Sequence, residues 1–161
     1  HLQLVAARCE EVVVDAVRAG AKGLIVPDLP PDSDEGLYDA CARNGIHAIP
    51  VVVPFTSPER MAMILAAKPE YVYVALRAGT TGTDTVLSPE VLSMLSDLGA
   101  KGVKVMGGFG LSRPEQLHTL MPHLHAAIVG SALVRVIDSC TDQSQIREKT
   151  RAKVAELTGI N

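Results

Sequence analysis

The sequence predicts an α/β fold built on a parallel sheet, and three observations carry that prediction. Apolar runs of strand length alternate with amphipathic stretches of helix length along the 161 residues. The runs are almost continuously apolar, as strands covered on both faces are. The repeat is about 25–30 residues, close to the size of one βαβ unit. A chain of this length is expected to form one domain, spanning residues 1–161, with a substantial core.

The elements follow in order. Residues 8–19 (RCEEVVVDAVRA) read as a helix closed by Gly20, and residues 23–28 (GLIVPD) as the first strand. Residues 32–44 read as a helix, with Asp32 and Glu35 at capping-box spacing and Gly45 as the stop. Residues 47–53 (HAIPVVV) form the second run, weakened as a central strand by Pro50. Ser57-Pro58-Glu59 opens a helix that ends near Pro69: Ser suits the cap, Pro the first turn and Glu the positive end of the helix dipole. Residues 71–76 (YVYVAL) are the third strand. Ser88-Pro89-Glu90 repeats the start signal, with Gly99 as the stop. Residues 102–106 are the fourth strand, and Ser112 with Glu115 opens the next helix. Residues 126–129 (AAIV) are the fifth strand, running into Gly130-Ser131 and a helix to about Val136, and residues 143–157 close the chain as a helix. Five strands fit a doubly wound sheet of this length; a complete (β/α)8 barrel needs about 250 residues.

Composition excludes several classes of function. Mean hydropathy is +0.22, and 47% of residues are hydrophobic, which rules out a disordered chain. The net charge is −3 with no run of Lys or Arg, and the chain has no Trp, three Tyr and two Phe. Nucleic acid is therefore not an expected partner. Cys9, Cys41 and Cys140 are far apart and form no CxxC pair, so neither a zinc knuckle nor a disulfide framework is indicated and a reducing cytoplasm is expected. No apolar run approaches the length of a membrane span, and no signal peptide is seen. The first residue is His1 rather than Met, which points to an artificial junction, a processed product or a fragment.

In parallel α/β folds ligands bind at the carboxyl ends of the strands. Here those ends lead into Pro27-Asp28-Leu29-Pro30, Pro54-Phe55-Thr56-Ser57, residues 77–87, Gly107-Gly108-Phe109-Gly110 and Gly130-Ser131. The last three carry glycine where a strand ends. Glycine lets a backbone approach a ligand closely, and amides beside a helix N-terminus favour an anion. Gly82, Gly108, Gly110, Gly130 and the Ser131 hydroxyl could therefore converge on one phosphate. Turns of this kind also favour glycine without any ligand. No P-loop lysine follows, which argues against a nucleoside triphosphate. The 77–87 connection, with two Gly and four Thr, suits either a mobile lid or a long surface loop. Asp28 is the one carboxylate at a strand's carboxyl end, and it reads more simply as a turn residue than as a base. His47 lies at the wrong end of its strand, while His118, His123 and His125 lack metal-ligand spacing, so no metal is expected. Cys9 and Cys41 read as packed helix residues.

GLIVPDLPPDSDE (23–35), VVVPFTSPERM (51–61), YVYVALRAGTTG (71–82), GGFGLSRPEQ (107–116) and IVGSALV (128–134) resemble, in order and spacing, the α subunit of tryptophan synthase. The resemblance extends more weakly to residues 8–20 and covers nearly the whole chain. It implies membership of the (β/α)8 TIM-barrel family, here as an incomplete barrel of about five βα units. It also implies a lyase of tryptophan biosynthesis, which cleaves indole-3-glycerol phosphate to indole and glyceraldehyde 3-phosphate. Gly82, Gly108, Phe109, Gly110, Gly130 and Ser131 would surround the substrate phosphate. Ile25, Val52, Tyr73 and Ile128 would line the indole pocket, and Thr81 would be the lid threonine. No cofactor is implied for this chain, because pyridoxal phosphate belongs to the family's β subunit, the implied protein partner. Gly107 stands where the family often has Gln, and Thr80 where it often has Val.

By the same resemblance the chain begins just after the family's third strand. The catalytic glutamate and aspartate would then precede these residues, leaving no catalytic group expected among them. Three readings stay open on the residues alone: a portion of a tryptophan synthase α-type lyase; a non-catalytic phosphate-binding half-barrel, perhaps a homo-oligomer paired through exposed sheet edges; or another phosphosugar enzyme with Asp28 as base.

Overall fold

The computed structural model describes residues 2–76 and 87–159, with side chains from Arg8 onward. The chain divides into two compact units, His1–Tyr73 and Val74–Asn161. Among the described residues no helix is long and apolar enough to cross a membrane.

The first unit contains α1 (Leu2–Arg18), β1 (Gly23–Leu24), α2 (Leu37–Arg43), β2 (His47–Ala48), β3 (Val51–Val52), α3 (Pro58–Ala66) and the start of β4 (Tyr71–Ala75). β1 and β2 pair in parallel, Gly23 opposite His47. Their approach is close enough that a Cβ on Gly23 would lie 2.9 Å from Ile49 Cδ1 and 3.1 Å from the His47 carbonyl oxygen. The helices pack through Cys9 and Val13 of α1 against Leu37, Ala40 and Cys41 of α2, with Ile46 beneath. At the rim of this contact Glu10 accepts from Asn44 Nδ2 at 2.8 Å and pairs with Arg43. β3 lies beside β4, where the Tyr73 N–H donates to the Pro50 carbonyl at 2.9 Å.

The second unit continues β4 and adds α4 (Pro89–Ala100), β5 (Lys104–Gly108), α5 (Pro114–Leu120), a 3-10 turn at Met121–His123, β6 (Ala126–Ile128), α6 (Ser131–Asp138) and α7 (Gln143–Thr158). Its strand order is β4-β5-β6. β5 and β6 are parallel, with Gly107 opposite Ala127 and Gly108 opposite Ile128. Val74, Leu95, Leu98, Val105, Leu111 and Leu120 are buried in its core. Gly107 is packed rather than open: a Cβ there would come within 2.8 Å of Leu124 Cδ1 and 2.9 Å of Cδ2. The absence of a side chain at this position makes room for Leu124.

The α/β class and the parallel pairing agree with the sequence reading, whereas α1 begins at Leu2, β1 is confined to Gly23–Leu24, β5 lies two residues later than expected, and four further element details differ. The 47–53 run is split at Ile49-Pro50 into β2 and β3, so six short strands stand among the described residues. Proline brings no N–H to a ladder and breaks the run there. The helix expected at residue 32 starts instead at Leu37, because Glu35 and Gly36 are both left-handed, with φ of 51° and 89°. Its start is capped not by Asp32 but by Asp34, whose carboxylate accepts from the Tyr38 N–H at 2.8 Å and the Gly36 N–H at 3.3 Å. Asp32 faces Arg60 instead, at 3.2 Å.

The other two differences concern helix ends. Gly99 lies inside α4, and the helix stops at Gly102, φ 81°. There the Gly102 N–H reaches the Gly99 carbonyl at 2.9 Å, and the Val103 N–H reaches the Leu98 carbonyl at 3.3 Å. Those two bonds are a Schellman closure. The same pair closes α2, from Gly45 to Ala42 and from Ile46 to Cys41. Finally, α5 starts at Pro114, with Gln116 rather than Glu115 reaching back to its start.

Candidate functional site

The parallel register brings two turns to one edge of the second unit. Gly108 and Ile128 are paired at the carboxyl ends of β5 and β6, so residues 109–113 and Val129-Gly130 leave the sheet side by side. Gly108 is buried, and its carbonyl accepts from the Leu76 N–H at 2.9 Å.

Phe109 and Gly110 are consecutive left-handed residues, with φ of 75° and 77°. For glycine this conformation is nearly free; for phenylalanine it costs about 1–2 kcal/mol. Strain of this kind persists only where surrounding contacts hold it. One side chain reaches three residues of the turn that follows. Gln116, 5% exposed, accepts from the Ser112 N–H at 3.0 Å and the Arg113 N–H at 3.1 Å through Oε1. Its Nε2 donates to the Gly110 carbonyl at 3.4 Å. The Phe109 ring remains 46% exposed and Ile128 37% exposed, so apolar surface lies beside these amides.

Across the edge, Gly130 is the N-cap of α6 and provides no side-chain cap, while its carbonyl accepts from the Leu133 and Val134 amides. A Cβ at Gly130 would meet nothing within 4 Å. Ser131 occupies the first helical position, and no acidic residue stands in the first turn. The positive end of the helix dipole thus meets open space and a hydroxyl, an arrangement that favours an anion.

Gly108, Phe109, Gly110, Gly130 and Ser131 therefore lie on neighbouring turns of one unit. Of the residues expected to meet the indole, Ile128 is on that edge. Ile25, Val52 and Tyr73 belong to the first unit: Ile25 follows β1 and is 37% exposed, whereas Val52 and Tyr73 are buried in β3 and β4. Burial pushes the Tyr73 phenol above its usual range. Thr81 and Gly82, with the rest of the 77–86 stretch, lie outside the described residues.

The remaining candidates have ordinary surroundings. Asp28 is exposed and lies in a turn closed by the Leu29 N–H to the Val26 carbonyl at 3.2 Å. His47 sits at the start of β2, 3.6 Å from Glu70 and edge-on to Tyr71. His123 Nδ1 is 2.8 Å from Ser96 Oγ, and His118 and His125 are exposed. Among the described residues no group of three potential ligands could hold a metal ion. Cys9 and Cys41 are buried, and burial raises both thiols above their ordinary range, as inert packed cysteines require. Gln116 is the residue that sequence reasoning missed. The signal is a Gln at the third position of a Pro-initiated helix, and Glu115 beside it offers a competing one.

Comparison with known proteins identifies the family. The family model described as tryptophan synthase alpha chain matches residues 2–159. The tryptophan synthase alpha chain of Carboxydothermus hydrogenoformans is 33% identical over 147 residues, covering 91% of this chain and 55% of the relative. That of Nitratidesulfovibrio vulgaris is 41% identical over 134 residues, covering 83% and 52%. The fold is similar to that of a chain in a structure of the tryptophan synthase a2b2 complex from Pyrococcus furiosus, with a TM-score of 0.78 at 28% identity, covering 94% of this chain and 61% of that one. The chain spans about half the length of the curated relatives it matches. On the family match and these identities, the chain belongs to the tryptophan synthase alpha chain family.

Proposed function

We propose that these residues supply the phosphate-binding part of a tryptophan synthase α-type lyase, and that their ligand is indole-3-glycerol phosphate. The observation that carries the reading is the β5–β6 register, which sets the Phe109-Gly110 turn beside the N-terminus of α6. A phosphate monoester dianion would lie against the amides of these turns and the Ser131 hydroxyl. In the second unit Phe109 and Ile128 would offer apolar surface next to it. In the first, Ile25, Val52 and Tyr73 are the residues that the family resemblance assigns to the indole. Thr81 and Gly82 would contribute from the 77–86 connection. The reading asks no cofactor of this chain. Its protein partner would be a β subunit, as the a2b2 complex of the Pyrococcus furiosus relative suggests.

The residues assigned here bind and orient; none is assigned as the general acid or base. The chain on its own is therefore expected to bind the substrate without turning it over, because an unfilled acid–base role costs about 10²–10⁴-fold or more in rate. Calorimetric titration of the 161-residue chain with indole-3-glycerol phosphate tests the reading. Saturable binding that Gly130→Asp abolishes is the expected result, since the new carboxylate would occupy the open space in front of α6. Binding that survives Gly130→Asp, or no binding at all, refutes it.

A further inference from the structure

Resting on the phosphate reading above, we propose that Gln116 is the positioning residue of the anion loop: it touches no ligand but fixes the 110–113 backbone in its binding conformation. Gln116 is a buried polar side chain at 5% exposure, and a buried amide needs its partners. All three of the partners described above belong to the same turn. Two are the Ser112 and Arg113 amides, held at Oε1. The third is the Gly110 carbonyl, held by Nε2.

The third contact carries the functional consequence. In a trans peptide the carbonyl and the following N–H point in opposite directions. Drawing the Gly110 carbonyl towards Gln116 therefore turns the Leu111 N–H away from Gln116. The same contact anchors the left-handed pair Phe109-Gly110, which free backbone would seldom adopt. A helix cap needs only the Oε1 contacts. The Nε2 contact serves the turn, and with it the geometry of the amides offered to an anion.

Two substitutions separate these roles. Gln116→Glu keeps acceptor oxygens for the Ser112 and Arg113 amides but turns a carboxylate on the Gly110 carbonyl. Gln116→Met keeps the shape and removes these three hydrogen bonds. The test uses the whole 161-residue chain, with glycerol 3-phosphate as probe. Calorimetry gives the dissociation constant, and amide NMR spectra report the Gly110 and Leu111 resonances. Losing one such hydrogen bond should weaken binding about tenfold. Gln116→Glu should show that loss with the Gly110 and Leu111 resonances moved. If the wild type binds and both substitutions bind within about twofold of it, the positioning role is overturned while the phosphate reading stands. Where Gln116→Met fails to fold, Gln116→Glu alone decides. If the wild type does not bind the probe, the phosphate reading falls and the positioning role falls with it.

Discussion

Alanine at Gly99 and alanine at Gly102 should move stability in opposite directions, although the two glycines are three residues apart. At both positions a new Cβ would meet nothing within 4 Å, so the comparison is free of steric contact. Gly99 is a helical residue of α4, where Gly is worth about 0.5–1 kcal/mol less than Ala. Gly99→Ala should therefore stabilise by about that amount. Gly102 has φ 81° and closes the helix. An L side chain in the left-handed region costs about 1–2 kcal/mol, offset by about 0.4–1 kcal/mol from the stiffer unfolded chain. Gly102→Ala should destabilise by about 0.5–1 kcal/mol net. The gap between the two variants is then about 1–2 kcal/mol, or several degrees of thermal midpoint for a chain of this size. Urea unfolding followed by circular dichroism measures it. Equal midpoints, or a more stable Gly102→Ala, would show that α4 ends at Gly99 and that the Schellman closure at Gly102 is not what stops it.

Two further outcomes follow from the first unit. Asp34→Ala should cost about 1 kcal/mol, as the loss of a helix cap does, whereas Asp32→Ala should stay within about 0.5 kcal/mol because it removes only an exposed pair with Arg60; the same urea series decides, and the reverse order would restore the capping box expected from the sequence. Tyr38 gives a pH signature: burial first, then the Asp34 carboxylate and Cys41, push its phenol up to about 12, against about 10 when unfolded. Its raised value favours the folded state fully below pH ~10, and that advantage is lost as pH rises from ~10 to ~12. The urea midpoint should therefore fall over that window, and Tyr38→Phe should flatten the fall; an unchanged slope in the variant would place the alkaline transition on another group.

How much of this was legible in the sequence depends on the range of the interactions involved. The order of elements was legible because it rests on apolar periodicity and on local signals. Ser57 accepts from the Arg60 amide as its place before Pro58 suggests, and Gly45 closes α2. Ambiguity entered where two equivalent signals lay within one turn of each other. Residues 98–102 (LGAKG) offer two stops, and the choice is made by burial of Leu98, whose carbonyl is the acceptor of the closing bond. Asp32 and Asp34 offer two caps, and the choice is made by a left-handed pair at Glu35-Gly36 that composition does not announce. The glycines of the candidate site were legible, and their convergence on one phosphate was expected from their places at strand ends; the register that places Gly108 opposite Ile128 was not legible. Gln116 was not legible as a turn-holding residue, because its role appears only once the Gly110 carbonyl is seen to point at it.

The two kinds of turn in this chain meet opposite demands, and the distinction accounts for where function can reside. Turns that lead from a helix into a strand are short and self-sufficient. After Gly45 and Gly102, strands begin at His47 and Lys104, and a pair of backbone bonds closes each turn, joined at α2 by Asn44 Nδ2, which donates to the Ala40 carbonyl at 2.9 Å. Lys68 shows what that economy requires: it adopts φ 49° at the end of α3 without being glycine, and the proline that follows cannot supply the second closing N–H. Two turns that lead from a strand into a helix are held by a side chain. The stretch after β1 depends on the Asp34 side chain, and the turn after β5 depends on Gln116. In the turn after β5 the Ser112 and Arg113 amides are taken by Gln116, and under the proposed phosphate reading an anion would use amides that face away from it. The strained Phe109 marks the place where this arrangement is most developed. Gly130, which opens α6 without a side-chain cap, extends it to the neighbouring turn. At the β5–β6 edge the Gln116 side chain holds the 110–113 backbone from one side, and the anion site we propose there would use the other.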